Sequence, residues 1–293
     1  MTTGSRKFHD FCWLNLMTPE GNEAKEFFAS LFGWTFGEMP GVPGGHLILV
    51  EGKAAGALMD LQVCRLPEGT PPAIGLMVKV EDVDASLAKI NSLGGKGDAP
   101  FDVMTNGRMA MVTDPNGAVF GLWQPKDKDG FDVDSHAHGA PGWFETISTD
   151  AARAAEFYAA AFGWDVEIQS PVPGMQYTLF KLGDVPVSGA MSVPNVPAHW
   201  SVAFSVRDAD EVAKRLVELG GNLCMPVQAI AGVGRFALFK SPQGVSFQIM
   251  EWAKLPCLTP VSSRGGCPCE RETLREIVTH PLLDEHGQIG LSE

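Results

Sequence analysis

Ala24-Lys25-Glu26-Phe27-Phe28-Ala29-Ser30-Leu31-Phe32-Gly33-Trp34 returns later in the chain as Ala154-Ala155-Glu156-Phe157-Tyr158-Ala159-Ala160-Ala161-Phe162-Gly163-Trp164. Ala24, Phe27, Phe28 and Leu31 fall at i, i+3, i+4 and i+7, which predicts an amphipathic helix over 22–32 that stops at Gly33. Two further anchors recur in the same order. Val80-Glu81-Asp82-Val83-Asp84 matches Val206-Arg207-Asp208-Ala209-Asp210, and Asp114-Pro115-Asn116-Gly117 matches Ser241-Pro242-Gln243-Gly244. Ordered anchors whose spacing drifts by a few loop residues mark a tandem duplication. The copies run over 8–125 and 142–253, each long enough to bury a core. Residues 126–141, polar and rich in Gly, Pro and Asp, read as a linker, and 254–293 belong to neither copy.

Composition narrows the function. The chain has 293 residues, 45% hydrophobic and 19% charged, which is the make-up of a globular protein. Its formal net charge of −13 repels phosphate backbones, and no basic cluster offsets it, so nucleic acid is not an expected partner. No apolar run reaches the ~20 residues of a membrane span, and the first residues do not read as a signal peptide. The expectation is a cytoplasmic protein whose six cysteines are reduced thiols.

Around the helices the pattern is strand-like at 11–17, 46–50, 54–60, 74–80, 108–113 and 118–123, with a second helix over 83–93 and an Asp-Pro-Asn-Gly turn closing the last hairpin. Each copy is therefore two βαβββ units, and the class is α+β. A helix ending in Phe-Phe-Ala-Ser-Leu-Phe-Gly-Trp, together with that Asp-Pro-Asn-Gly hairpin, resembles the vicinal oxygen chelate superfamily of glyoxalase I, extradiol dioxygenases and bleomycin-resistance proteins. The resemblance implies four βαβββ units forming two tandem glyoxalase-like domains, each an eight-stranded cup, with a non-repeat C-terminal tail.

It also implies where a divalent ion would sit. Metal-using members hold it on the concave face with His, Glu or Gln from the first and last strands of both units. The corresponding positions are Trp13, Gly75 and Gly121 in the first copy, with Trp143, Ser201 and Gln248 in the second. The fourth position is expected near Leu58 to Asp60 and near Ala190 to Ser192. Indole and glycine cannot coordinate zinc, iron or manganese, so the first copy lacks a site. A register slip of two keeps a side chain on the same face. It would bring Glu145, His199 and Gln248 together in the second cup, against Asn15, Ala73 and Gly121 in the first. Those three residues are the metal candidates, for Fe, Mn, Ni or Zn.

Without a metal, Trp13 and Trp143 offer flat apolar surface for a planar ligand, with Asn15, Glu145, Gln176, His199 and Gln248 as polar contacts. His46 is taken as the counterpart of Gln176. Arg108 and Arg235 either anchor a ligand carboxylate or tie down a sheet edge. In the tail, the expectation is a helix over 270–280 laid on a cup or a partner; the alternative is a zinc clip or redox pair from Cys267-Pro268-Cys269, with Cys257, His280 and His286, whose spacing is not one of the zinc-finger patterns. No nucleophile elbow or phosphate loop is present. The expected function is binding of a small organic molecule by a resistance-type protein, monomer or homodimer, with no cofactor. The alternative is a metal-dependent lyase, isomerase or dioxygenase with Glu145 and His199 as catalytic residues.

Overall fold

The structure, a computed structural model, describes residues 6–64, 69–171 and 174–253; the tail cysteines lie outside the described residues. The first copy contains β1 (Phe11–Thr18), α1 (Gly21–Phe32), β2 (Thr35–Glu38), β3 (Gly45–Val50) and β4 (Lys53–Asp60). It continues with β5 (Ala73–Lys79), α2 (Val83–Ser92), β6 (Lys96–Gly97), β7 (Phe101–Val103), β8 (Gly107–Thr113) and β9 (Val119–Pro125). The second copy contains β10 (Pro141–Ser148), α3 (Ala151–Phe162), β11 (Asp165–Gln169), β12 (Tyr177–Leu182) and β13 (Val185–Ser192). It closes with β14 (His199–Ser205), α4 (Ala209–Glu218), β15 (Asn222–Ile230), β16 (Gly234–Lys240) and β17 (Ser246–Trp252). This is βαβββ four times over, with the strand that follows α2 broken into β6 and β7, both paired with β8. Strands β2, β6, β7 and β11 escape sequence reading because they are short and mostly exposed, so no buried face imposes an alternation.

Each copy folds into its own curled sheet, β2-β3-β4-β1-β5-β9-β8-β6 and β11-β12-β13-β10-β14-β17-β16-β15. In both, the first strand runs parallel to the third hairpin strand of its own unit and antiparallel to the first strand of the next. The two units of a copy therefore meet along β1–β5 or β10–β14, and the cup opens across that seam.

The outer faces of the two sheets share one continuous core, and the helices interlock it. Phe32 of α1 packs on Phe204 and Phe247 of the other copy, while Tyr158 and Phe162 of α3 pack on Phe120. The Phe-Gly-Trp motif has a specific task in this arrangement. Gly33 and Gly163 cap their helices at φ 71° and 70°, a left-handed turn that costs a glycine little. The turn aims each following indole at the opposite copy. Trp34 Nε1 donates to Gly139 O at 2.8 Å, and Trp164 Nε1 donates to His9 O at 2.7 Å. Each copy thus holds the entry into the other copy's first strand, for about 1 kcal/mol per bond.

The two inter-copy seams are not equal. In one, fully buried Tyr158 donates to Asp114 Oδ2 at 2.9 Å and accepts from Trp200 Nε1 at 2.9 Å. In the other, Phe28 takes the place of Tyr158 and Ser241 that of Asp114.

Candidate functional site

The inner faces of the sheets carry separate clusters. In the second cup, Trp143, Ala203 and Met250 are buried together, with Leu179, Phe236 and Trp252 against them. The period of two explains the selection: Phe144, Val202, Phe204 and Ile249, from the same strands with opposite parity, belong to the shared core. Trp252 stands edge-on to Trp143 with ring centroids 6.4 Å apart, and its Nε1 donates to Ser205 Oγ at 2.8 Å.

Among these apolar walls runs a continuous polar chain. Trp143 Nε1 donates to Tyr177 Oη at 2.8 Å, and Tyr177 Oη donates to Glu145 Oε1 at 2.7 Å. Gln248 Nε2 donates to Glu145 Oε2 at 3.1 Å and to Ser201 Oγ at 3.3 Å. Strand register assembles it: Glu145 lies beside Gly189 on one side and Ser201 on the other, and Gln248 lies beside Ala203. Gly189 is what admits the tyrosine, because a Cβ there would collide with the Tyr177 ring and hydroxyl. Burial, with the Glu145 carboxylate alongside, holds the Tyr177 phenol well above its ordinary value of 10.0. It therefore stays a hydrogen-bond donor at neutral pH.

The structure brings Trp143, Glu145 and Gln248 together and leaves two other second-copy candidates apart. His199 opens β14 at the exposed rim, and its Nδ1 lies 2.8 Å from Pro197 O. Gln176 is exposed just before β12, and the pairing of His46 with Gln176 is corrected by the register. Gly45 faces Met59 and Tyr177 faces Met191, so Tyr177 matches Gly45 and His46 matches Thr178. Tyr177 was missed because the connection before β12 is two residues longer than that before β3, as the spacing from Trp164 and Trp34 shows.

The first cup carries no such chain. Trp13 Nε1 donates to Asn15 Oδ1 at 3.3 Å, and Trp13 also stacks on Phe131 of the linker. Cys12, Met77 and Trp123 form the inner cluster, with Met109 against it. Methionines occupy the space over the glycines: Met17 Cε would lie 3.6 Å from a Cβ on Gly75, and Met77 Cγ 3.0 Å from one on Gly121. Ala73 lies at the start of β5 beside Met17. Burial pushes the Cys12 thiol far up, which removes it as a nucleophile. The two arginines serve the scaffold, Arg108 bonding Asp84 at 2.9 Å and Arg235 bonding Asp210 at 2.7 Å, so neither is left for a ligand carboxylate.

The donor sets do not fit the superfamily's metal. The first cup presents indole, glycine and thioether. The second presents one carboxylate, already engaged at both oxygens, beside a neutral amide and a hydroxyl. Among the described residues no three His, Cys, Asp or Glu side chains converge. With a single anionic ligand and no imidazole or thiolate beside it, such a set offers a dication too few strong donors.

This architecture, two curled βαβββ sheets each open on one face, defines the class, and sequence profiles agree. The chain belongs to the glyoxalase/bleomycin resistance protein/dioxygenase superfamily, whose profile matches residues 11–122, while the glyoxalase-like domain profile matches 144–250. CFP32 of Mycobacterium tuberculosis, which carries a provisional glyoxylase name, is 36% identical over 246 residues, covering 82% of this chain and 93% of its own. Anthracycline biosynthesis protein DnrV of Streptomyces peucetius is 30% identical over 255 residues, covering 82% and 92%. The fold is also that of the Mn(II)-bound glyoxalase from Novosphingobium aromaticivorans, with 17% identity, TM-score 0.58 and 84% and 82% of the chains covered. The 2,3-dioxygenase LapB from Pseudomonas sp. KL28 shares it at 12% identity and TM-score 0.59, over 87% and 95% of the chains. No described helix is long and apolar enough to cross a membrane.

Proposed function

We propose that the protein binds a flat, largely apolar organic molecule in the second cup without a metal. The observation that carries this reading is one hydrogen-bonded chain, Trp143–Tyr177–Glu145–Gln248–Ser201, on the same sheet face as the apolar cluster of Trp143, Trp252, Phe236 and Met250. Apolar walls around a few convergent polar groups are how proteins hold small molecules and fix their orientation. The name of DnrV places that relative in anthracycline biosynthesis, which supports a planar ligand here.

Titration with 1,4-dihydroxyanthraquinone, followed by tryptophan fluorescence and calorimetry, tests the reading. Saturable quenching is expected in the wild type and weakened at least about tenfold in Trp252→Ala, which removes one wall. Equal affinity in the variant would move the ligand out of this cup. Metal content, measured on protein expressed with iron, manganese, nickel and zinc supplied, is expected to be substoichiometric. Near-stoichiometric metal that disappears in Glu145→Ala would overturn the metal-free reading in favour of a metal-dependent lyase, isomerase or dioxygenase.

A further inference from the structure

We infer that the second cup selects a protonated amine carried on a flat aromatic body. The inference rests on the proposed binding role of that cup and adds the charge of its ligand. Glu145 is half-buried among indoles, and its two bonded partners, the Tyr177 phenol and the Gln248 amide, are both neutral. They orient the carboxylate without cancelling its charge. Among the described residues no Lys, Arg or His nitrogen pairs with it, although thirteen such pairs occur elsewhere. A carboxylate partly withdrawn from water and left without a counter-charge favours a cation above it.

The surroundings specify which kind. The oxygens bonded by Tyr177 and Gln248 retain lone pairs for a further N⁺–H donor, giving a charge-assisted hydrogen bond. Indole is the side chain that best attracts an organic cation, and Trp143 and Trp252 share the sheet face of Glu145 with Phe236, Leu179 and Met250, apolar partners for a ring system. A net charge of −13 raises the local concentration of cations and repels anions. The first cup, with Asn15 where the second has Glu145, lacks this preference.

Matched probes isolate the charge: 2-naphthylmethylamine, 2-naphthalenemethanol and 2-naphthoate, titrated calorimetrically into the full chain at neutral pH. The amine is expected to bind about thirtyfold more tightly than the alcohol, and the carboxylate not at all. Glu145→Gln should abolish the difference between amine and alcohol, whatever it does to the two affinities together. Should that variant misfold, salt gives the same reading on the wild type. Raising it from about 0.05 to about 0.5 M should weaken the amine and spare the alcohol. Equal wild-type affinities for amine and alcohol would overturn the inference and leave the binding role standing. Preference for the amine that survives Glu145→Gln would also overturn it. If none of the probes binds, the binding role falls as well.

Discussion

The two cups descend from one sequence and share one backbone, yet beyond the matching Trp13 and Trp143 their floors differ. Where the second has Tyr177, Gly189, Glu145, Ser201 and Gln248, the first has Gly45, Ala57, Asn15, Gly75 and Gly121. The polar chain of the second cup works as a unit. Each member is oriented by the next, and Gly189 is small because Tyr177 crosses it. In the first cup the vacated space is filled by flexible thioethers, which pack without specifying an orientation. Duplication kept the scaffold, including both Phe-Gly-Trp anchors, while the two floors diverged.

The largest consequence is a sensitivity to alkali. The chain has only two tyrosines, Tyr158 in an inter-copy seam and Tyr177 in the second cup, and both phenols are held well above 10.0. The folded chain keeps these protons where the unfolded chain loses them. The unfolded state then binds fewer protons, and stability falls as pH rises past 10. Absorbance at 295 nm should stay silent there until the fold is lost, and then report both tyrosinates in one cooperative step. Tyr177→Phe should halve that amplitude and leave the transition cooperative. A tyrosine that ionises gradually in the native protein would show that its site admits water.

Next in size is Gly189→Ala. The new Cβ meets the Tyr177 ring, which cannot be relieved without turning it out of the cup and leaving the Trp143 N–H and Glu145 Oε1 unpaired. A loss of about 1–3 kcal/mol in denaturant unfolding is expected, together with weaker binding of aromatic probes. Unchanged stability and binding would mean that the polar chain is not the organising feature of the cup.

The scaffold was legible because its signals are local. Helix periodicity through Phe27, Phe28 and Leu31, the left-handed stop at Gly33 and the Asp-Pro-Asn-Gly turn each act within a few residues, and their recurrence gave the four units. The parity of strands also placed Trp143, Glu145 and Gln248 on one face. What could not be read was distance along that face and across connections. His199 has the right parity but opens its strand at the rim. Tyr177 was hidden by the longer connection before β12, which broke the constant spacing between the copies. The one available signal was the alternation of Tyr177 with Leu179 and Lys181, which places the tyrosine on the inner face once β12 is recognised as starting there. The partnership of Trp34 with Gly139 was likewise beyond sequence, since it joins the first copy to the linker residues that lead into β10.

The smallest effect is expected from the same kind of substitution in the first cup. A Cβ on Gly121 would lie 3.0 Å from Met77 Cγ and 3.5 Å from Met111 Sδ. Both are unbranched side chains that can give by a few tenths of an ångström through their own torsions, and Gly121 does not adopt a positive φ. Loss of backbone freedom in the unfolded chain works in favour of the alanine and offsets part of the crowding. Gly121→Ala should therefore change unfolding free energy by less than about 1 kcal/mol and leave probe binding in the second cup unaltered. The contrast with Gly189→Ala is the test. In one cup the added methyl meets a tyrosine fixed by two hydrogen bonds, and in the other it meets thioethers with nothing to hold them. Equal losses at the two glycines would mean that the first cup is packed as rigidly as the second, and that its methionines hold a defined arrangement.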